Sequence, residues 1–475
     1  MRHFHRFASF AVLGSSLLAS LPAQPRVIPV KVITRSGSPG YNDCWGYTTP
    51  DKRDFALLGD SEGIMLVEAT DENNITQKGW WTASRNDWRD FTNYKQYLYS
   101  VSEGHRGIRV IDMSNPDRPV DRGYVARSSV THAHNISVDP DSGKLYLSGT
   151  NQGVAIFDAK ANPLNPRFVG TWRTEYVHDI CARRGKAYFA AGSSGYVRIL
   201  DATKSPTLSL LGSGLTPGNY THNCWVSEDD KVLCVTDEIG GGPPHMTIWD
   251  ISNPRTPVKK GDYIVGTHTV HNVFTIGRTA YMSHYLDGFH VADLADLSKP
   301  LRIGHYDTSG QLGLYNGCWG VYPFSDNGLV YASDMQRGLF VFKIITGHMN
   351  RYGKGTTGSN GKIPFARFDG SSPRVNATKL TFDVEGLLPN ARFVFAYSNA
   401  KGNARVLGVD VNIDLSNFWM IHLQADASGT AVIPAPIPNN PQLDRATVYF
   451  QIFGEDKGKP LGFSASRGMW AGIGK

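Results

Sequence analysis

Gly107-Ile-Arg-Val-Ile-Asp-Met-Ser-Asn-Pro-Asp-Arg-Pro-Val120 is the phrase on which the reading of this chain turns. A glycine releases a short β-branched run, an aspartate closes it, and an Asn-Pro turn leads into another extended segment. Such a run reads as a strand, and the polar, proline-bearing cluster after it as the turn that ends it. The phrase returns at Gly153-Val-Ala-Ile-Phe-Asp158, Tyr196-Val-Arg-Ile-Leu-Asp201, Met246-Thr-Ile-Trp-Asp250 and Gly288-Phe-His-Val-Ala-Asp293. Looser copies stand at Gly63-Ile-Met-Leu-Val-Glu68 and Gly338-Leu-Phe-Val-Phe-Lys343. The residues closing these seven copies lie 43 to 50 residues apart. A period of that length with several strands per unit is the mark of a β-propeller.

Each unit parses into four strands. In the third they are 134–138, 144–148, 154–158 and 167–172, and in the fourth 179–182, 186–190, 196–200 and 208–211. The seventh has only three (318–321, 329–332 and 339–343) before a polar, glycine-rich stretch. Val30-Lys-Val-Ile-Thr34, just ahead of the first unit, supplies the missing fourth strand in this reading and covers two edges that would otherwise invite aggregation. The expectation is an all-β chain: a seven-bladed propeller over 24–347 closed by its N-terminal strand, a linker over 348–375, and a small β-sandwich over 376–475.

Composition agrees. With 50 glycines, 26 prolines, 11% aromatic and 19% charged residues, many turns and short strands fit better than helices. A net charge of +6 on 475 residues, scattered along the chain, leaves no footprint for nucleic acid. The start reads as an export signal over 1–23: Met1-Arg-His-Phe-His-Arg6 is basic, 7–21 is apolar and small, and a cut is expected after Ala23. Beyond it no apolar run is long enough to span a bilayer as a helix. Five cysteines (Cys44, Cys181, Cys224, Cys234 and Cys318) are too few for a disulfide framework; Cys44 and Cys318 are placed as neighbours at the closure, where a bond between them and burial as thiols both stay open.

The repeated G-x-x-V-x-D followed by S-N-P-x-x-P, in a chain with an export signal, resembles the LVIVD-repeat propellers of bacterial choice-of-anchor B proteins. The resemblance covers roughly residues 28–347. It implies a secreted or surface propeller, and a C-terminal anchoring device that the terminal Trp470-Ala-Gly-Ile-Gly-Lys475 does not provide. Propellers of the WD type fit less well, because Trp249-Asp250 is the one such pair after a strand of this kind. Past the linker, seven longer strands are read in about 100 residues, as in a compact sandwich. They resemble the small C-terminal β-domains of secreted planctomycete-type proteins, which implies sorting, surface attachment, glycan contact or plain stabilisation.

In a propeller the loops entering each first strand open on the same face as those between strands two and three. That face collects the histidines: Thr131-His-Ala-His-Asn135, Tyr176-Val-His-Asp179, Tyr220-Thr-His-Asn223 and His268-Thr-Val-His-Asn272. His134, His178, His222 and His271 are expected at one level in four consecutive blades. Asn42 and Asn316, from Tyr41-Asn-Asp-Cys-Trp45 and Tyr315-Asn-Gly-Cys-Trp319, are expected to complete the ring. The loops between strands two and three add Glu103, His105, Asp237, Glu238, His284, Tyr285, Asp287, Asp334 and Arg337.

Three readings compete. The ring is structural, its imidazoles bonded to neighbouring carbonyls. Or His132, His134, His178, His222, His268, His271, Asn42 and Asn316 line a binding mouth. Or the ring holds a divalent metal or does acid–base chemistry. Ring positions on separate blades are expected to lie too far apart to share an ion, so the metal reading falls on His132 and His134. No nucleophile elbow, P-loop or dinucleotide fingerprint is present. The expectation is therefore an exported binding or scaffold protein, secreted, periplasmic or at the cell surface, whose partner is an extracellular protein or glycan. Its alternative is a polysaccharide lyase or metal-dependent hydrolase using His178, His222 and His271.

Overall fold

A computed structural model describes residues 26–218, 220–238, 245–310, 313, 315–345, 348–369, 372–406, 409–444, 446–459 and 461–474. The expected export signal lies outside the described residues. Among the described residues the regular elements are all strands apart from one short 3-10 turn at Pro441–Leu443. It divides into two compact units, one built mainly from 28–343 and the other from 344–475.

Among the described residues the larger unit holds seven four-stranded sheets. In six of them the strands follow one another in chain order, as in Asn135–Asp139, Lys144–Ser148, Val154–Asp158 and Arg167–Trp172, all antiparallel. The remaining sheet runs Val27–Ile33, Gly338–Ile344, Leu329–Asp334, Cys318–Tyr322, so its outer strand comes from the other end of the unit. Each sheet's first strand packs against the first strands of two neighbours, and these contacts return from Cys318–Tyr322 to Tyr41–Thr48. The inner strands therefore surround a common axis.

The repeated phrase is explained by this architecture. Gly107 sits at φ +84°, and a Cβ there would come within 2.2 Å of the Val125 carbonyl on the fourth strand. Gly338 sits at φ +90° with the Ile33 carbonyl in the same place, so Val27–Ile33 occupies a fourth strand's position. The strand between glycine and aspartate is buried along its length, as over Ile108–Asp112. The closing aspartate then caps the turn: Asp112 Oδ1 accepts from the Ser114 amide at 2.9 Å, Asp250 Oδ1 from Ser252 at 3.0 Å, and Asp293 Oδ1 from Ala295 at 2.8 Å. The apolar clusters lie between adjacent sheets; one joins Cys181, Tyr188 and Ile199 to Cys224, Leu233 and Trp249. All five cysteines are buried free thiols, so Cys44 and Cys318 are not bonded.

The smaller unit has a sheet containing Asn350–Tyr352, Gly468–Gly472, Thr447–Glu455, Arg392–Ser398 and Phe418–Gln424, with Phe463–Ala465 beside Thr447–Glu455. A second sheet contains Phe365–Asp369, Thr381–Glu385 and Ala431–Pro434. Phe382, Val384 and Ile433 from the second share one core with Phe393, Phe395, Phe450 and Ile452 from the first. The stretch 348–375 was expected to be a linker, but it carries two of these strands. Lys401–Val406 and Val409–Ile413 form a separate hairpin.

Candidate functional site

The register of each first strand on its second decides which side chains ring the axis. Asn135 pairs with Ser148, Asp179 with Ala190 and Asn223 with Thr236, so His134, His178 and His222, each one residue earlier, are equivalent. The His271 amide donates to the Ser283 carbonyl at 2.9 Å, as the His134 amide does to Ser148 and the His178 amide to Ala190. Arg89, opposite Ser102, holds the position in the second repeat. Tyr41, Thr221 and Cys318 pair with Asp60, Asp237 and Asp334, and a register shift follows each of them. Those bulges aim the next residue, which is Asn42, His222 and Trp319 respectively. The ring is Asn42, Arg89, His134, His178, His222, His271 and Trp319.

The four histidines do stand at one level. Ring centroids are 4.3 Å apart for His134–His178, 4.2 Å for His178–His222 and 4.3 Å for His222–His271. Trp319 stacks on His271 at 4.9 Å. Every imidazole has its Nδ1 tied to an acceptor. His134 Nδ1 meets Glu103 Oε1 at 2.7 Å and His178 Nδ1 meets Asp179 Oδ1 at 3.0 Å. His222 Nδ1 donates to the His271 carbonyl at 3.1 Å, and His271 Nδ1 to the Trp319 carbonyl at 2.6 Å. A carbonyl only accepts, so in His222 and His271 the proton is on Nδ1 and Nε2 is left to face Glu238.

Glu238 anchors this side of the ring. Its Oε2 lies 3.5 Å from His222 Nε2 and its Oε1 3.9 Å from His271 Nε2, while the Tyr285 hydroxyl donates to Oε1 at 2.6 Å. Burial opposes its ionisation, but His222, His271 and the tyrosine hydroxyl outweigh burial and draw the carboxyl down to about 2. Asp179 behaves alike: burial is overcome by His178, His222 and His134, leaving it well below the usual carboxylate range. Burial pushes His271 well below its ordinary value, with His222 adding to the effect.

Under the ring runs a belt of Asp43, Asp90, Asn135, Asp179, Asn223, Asn272 and Gly320. Its members tie sheet to sheet. Asp90 Oδ2 accepts from the Ile136 amide at 2.9 Å, Asn135 Oδ1 from Ile180 at 3.2 Å, and Asn223 Oδ1 from Val273 at 3.1 Å. Asn223 Nδ2 also donates to Asp179 Oδ2 at 2.9 Å. Burial, then the charge of Asp43, pushes Asp90 well up, and burial raises Asp43 too. Sequence reasoning passed over this belt, although an Asn or Asp follows the ring residue in six of the seven repeats.

Other expected residues take different places. Asn316 accepts from Gln336 Nε2 at 2.9 Å, away from the ring, where Trp319 stands in its stead. His132 Nδ1 meets its neighbour Thr131 Oγ1 at 3.3 Å. His268 meets Asp287 Oδ1 at 3.1 Å. Asp287 also approaches His284 at 3.5 Å, and its carbonyl accepts from His305 Nε2 at 2.8 Å. Asp334 and Asp237 are committed to the preceding sheets' outgoing loops, accepting from Thr308 Oγ1 at 2.8 Å and Thr216 Oγ1 at 2.6 Å.

Among the described residues, two groups could hold a cation, His134–His178–Asp179 and His178–His222–Glu238, with ligand atoms in each within 4.8 Å of one another. Of the expected pair, His134 belongs to the first group and His132 to neither. Ring residues of separate sheets approach far more closely than the sequence reading allowed, because the inner strands converge on the axis.

No family model matches the chain, and no curated protein matches it. Solved structures do. U3-55K aligns with a TM-score of 0.51 at 9% identity, over 66% of this chain and 97% of that one. The WD40 repeats of RRP9 give 0.50 at 9%, over 66% and 97%. The Cps50 (Swd1) β-propeller domain of Myceliophteria thermophila gives 0.51 at 11%, over 67% and 100%. The fold is that of a β-propeller. At these identities the likeness speaks for the fold alone.

Proposed function

We propose that this chain is an exported, seven-bladed propeller of the LVIVD-repeat kind with a C-terminal β-sandwich, and that it binds an extracellular glycan or protein at the histidine end of its channel. The observation that carries this is the asymmetry of the ring. A purely structural ring would repeat one solution in every blade. Here four consecutive blades offer imidazoles, while Asn42, Arg89 and Trp319 fill the same position in the other three. The rim beside the histidines adds exposed aromatic side chains: Trp88 is 44% exposed, Tyr176 49% and Tyr315 44%. Flat rings with polar edges at a concave mouth suit sugars and peptide side chains. The opposite end carries the Asx-capped Asn-Pro turns, which are satisfied within themselves. Export rests on the sequence of 1–23, and the seven-blade reading on the seven sheets and their cyclic neighbours.

The test is binding of an array of neutral and acidic glycans and of peptides to the purified chain. A hit should weaken at least tenfold in a Trp88→Ala/Tyr176→Ala variant with unchanged melting temperature. Arg118→Ala, on the far end, should leave it intact. Equal loss in both variants, or no hit, would defeat the proposal. A second reading, a metal-dependent hydrolase using His178, His222 and His271, is favoured by the approach of Glu238 to the His222 and His271 Nε2 atoms.

A further inference from the structure

We propose that Nε2 of His178, Nε2 of His222 and the carboxylate of Glu238 hold one divalent transition-metal ion of the zinc class at the channel mouth. This deepens the reading of that mouth as a ligand site. The three donors come from two adjacent blades, His178 from one and His222 and Glu238 from the next, and the residues' ligand atoms lie within 4.8 Å of one another. Their orientation is set from behind. His178 Nδ1 is held by Asp179, itself fixed by Asn223; His222 Nδ1 is held by the His271 carbonyl; Glu238 is held by Tyr285. A metal-binding histidine ordinarily has its other ring nitrogen bonded in this way to a carboxylate or carbonyl, which presents the remaining lone pair to the ion.

The spacing of the facing groups also suits a cation between them. A shared proton would draw N and O to about 2.7–2.9 Å. The observed Glu238 Oε2–His222 Nε2 separation is 3.5 Å. Two ligands bound at about 2.0–2.1 Å to a tetrahedral ion stand about 3.4 Å apart. The competing group, His134–His178–Asp179, is weaker because Asp179 lies on the Nδ1 side of His178 and is already spent on orienting it. Two imidazoles, one carboxylate and an open fourth position favour zinc or cobalt over calcium or magnesium, which take oxygen donors.

The experiment uses the full chain, stripped with EDTA and titrated with Zn²⁺ against a chromophoric chelator, then with Co²⁺. One equivalent of zinc is expected, with the visible d–d bands of four-coordinate cobalt. Glu238→Gln should weaken zinc at least a hundredfold and Tyr285→Phe about tenfold, with melting curves establishing that each is folded. His132→Ala and His268→Ala should bind like the parent. Absence of the cobalt bands in the parent chain, or undiminished zinc in Glu238→Gln, would overturn the site, and neither reading requires a destabilised variant. Repeating the glycan and peptide array in EDTA separates the two proposals. Rim-dependent binding without zinc affinity leaves the mouth and removes the ion; zinc affinity with an inert array does the reverse.

Discussion

Asn223 gives the sharpest test of the belt beneath the ring. Its Oδ1 accepts the Val273 amide of the next sheet at 3.1 Å, and its Nδ2 donates to Asp179 Oδ2 of the preceding one at 2.9 Å. The side chain is 6% exposed, so water cannot replace either partner without opening the inner strands. Asn223→Ala orphans a buried amide, at about 1–3 kcal/mol, and removes a hydrogen bond to an ionised carboxylate, at about 1.5–3 kcal/mol; together about 3–5 kcal/mol is expected. Asn223→Asp separates the two roles. The new carboxylate still accepts from Val273 but faces Asp179, so burial and like charge raise its folded-state pKa above the unfolded value of about 3.9. Below pH 4 it carries a proton in both states and donates to Asp179 as the amide did, leaving stability near the parent's. As pH rises from 4 through the raised folded value, stability is lost, because the unfolded chain ionises freely and the folded one does not. Urea unfolding followed by tryptophan fluorescence at pH 4.5, 6 and 8 would measure this. A deficit below 1 kcal/mol in Asn223→Ala, or one in Asn223→Asp that does not grow with pH relative to Asn223→Ala, would refute the belt as described.

Asp43→Asn should stabilise the chain by about 1–2 kcal/mol at pH 8 and by much less at pH 4, since it relieves a carboxyl pair whose pKa values are raised by burial and so penalise folding only above the ordinary carboxylate range. A pH-independent effect would count against the pair. Gly320→Ala should cost about 3 kcal/mol, seen as a lowered urea midpoint, because its Cβ would fall 2.2 Å from Asp43 Oδ1 and 2.8 Å from the Cys44 amide. A neutral result would mean that the first and last sheets are not seated on each other as found. Ellman's reagent should label no cysteine in the native chain and five after denaturation without reductant; three after denaturation would reveal a bond between two of them.

The strands and their grouping were legible because one phrase does three jobs. Glycine clears the way for the fourth strand's carbonyl, the β-branched run fills the space between sheets, and aspartate caps the following turn. All three demands fall on fixed positions, so the period survives the divergence of everything around it. The donated outer strand was legible by subtraction. The histidines were legible because they recur beside the same Asn or Asp. Asn316 was misplaced for a definite reason. Tyr315-Asn-Gly-Cys-Trp319 matches Tyr41-Asn-Asp-Cys-Trp45 in residue identity, but strand register follows pairing, and Cys318, not Tyr315, answers Tyr41 by facing the aspartate that ends the second strand. Matching letters slid the seventh repeat by three residues. The short strands within 348–375 were hidden because such strands take their stability from the neighbours they pair with, here Gly468–Gly472 for Asn350–Tyr352 and Thr381–Glu385 for Phe365–Asp369, and leave little mark in composition.

Belt and ring divide the axis between two kinds of constraint. Asp90, Asn135 and Asn223 each accept an amide of the next sheet, a bond that the close approach of inner strands demands, and there only short side chains with an acceptor recur. One residue away the demand lapses. Asn42, Arg89 and Trp319 are as well buried as the histidines they replace, so the fold can be closed without an imidazole at that level. Four imidazoles in unbroken succession, each with Nδ1 tied and two with Nε2 turned to the same carboxylate, are therefore not what closing the ring requires. Packing explains why the position is filled; it does not explain why these blades fill it with a group that ligates and titrates, and that surplus is where a function has room to reside.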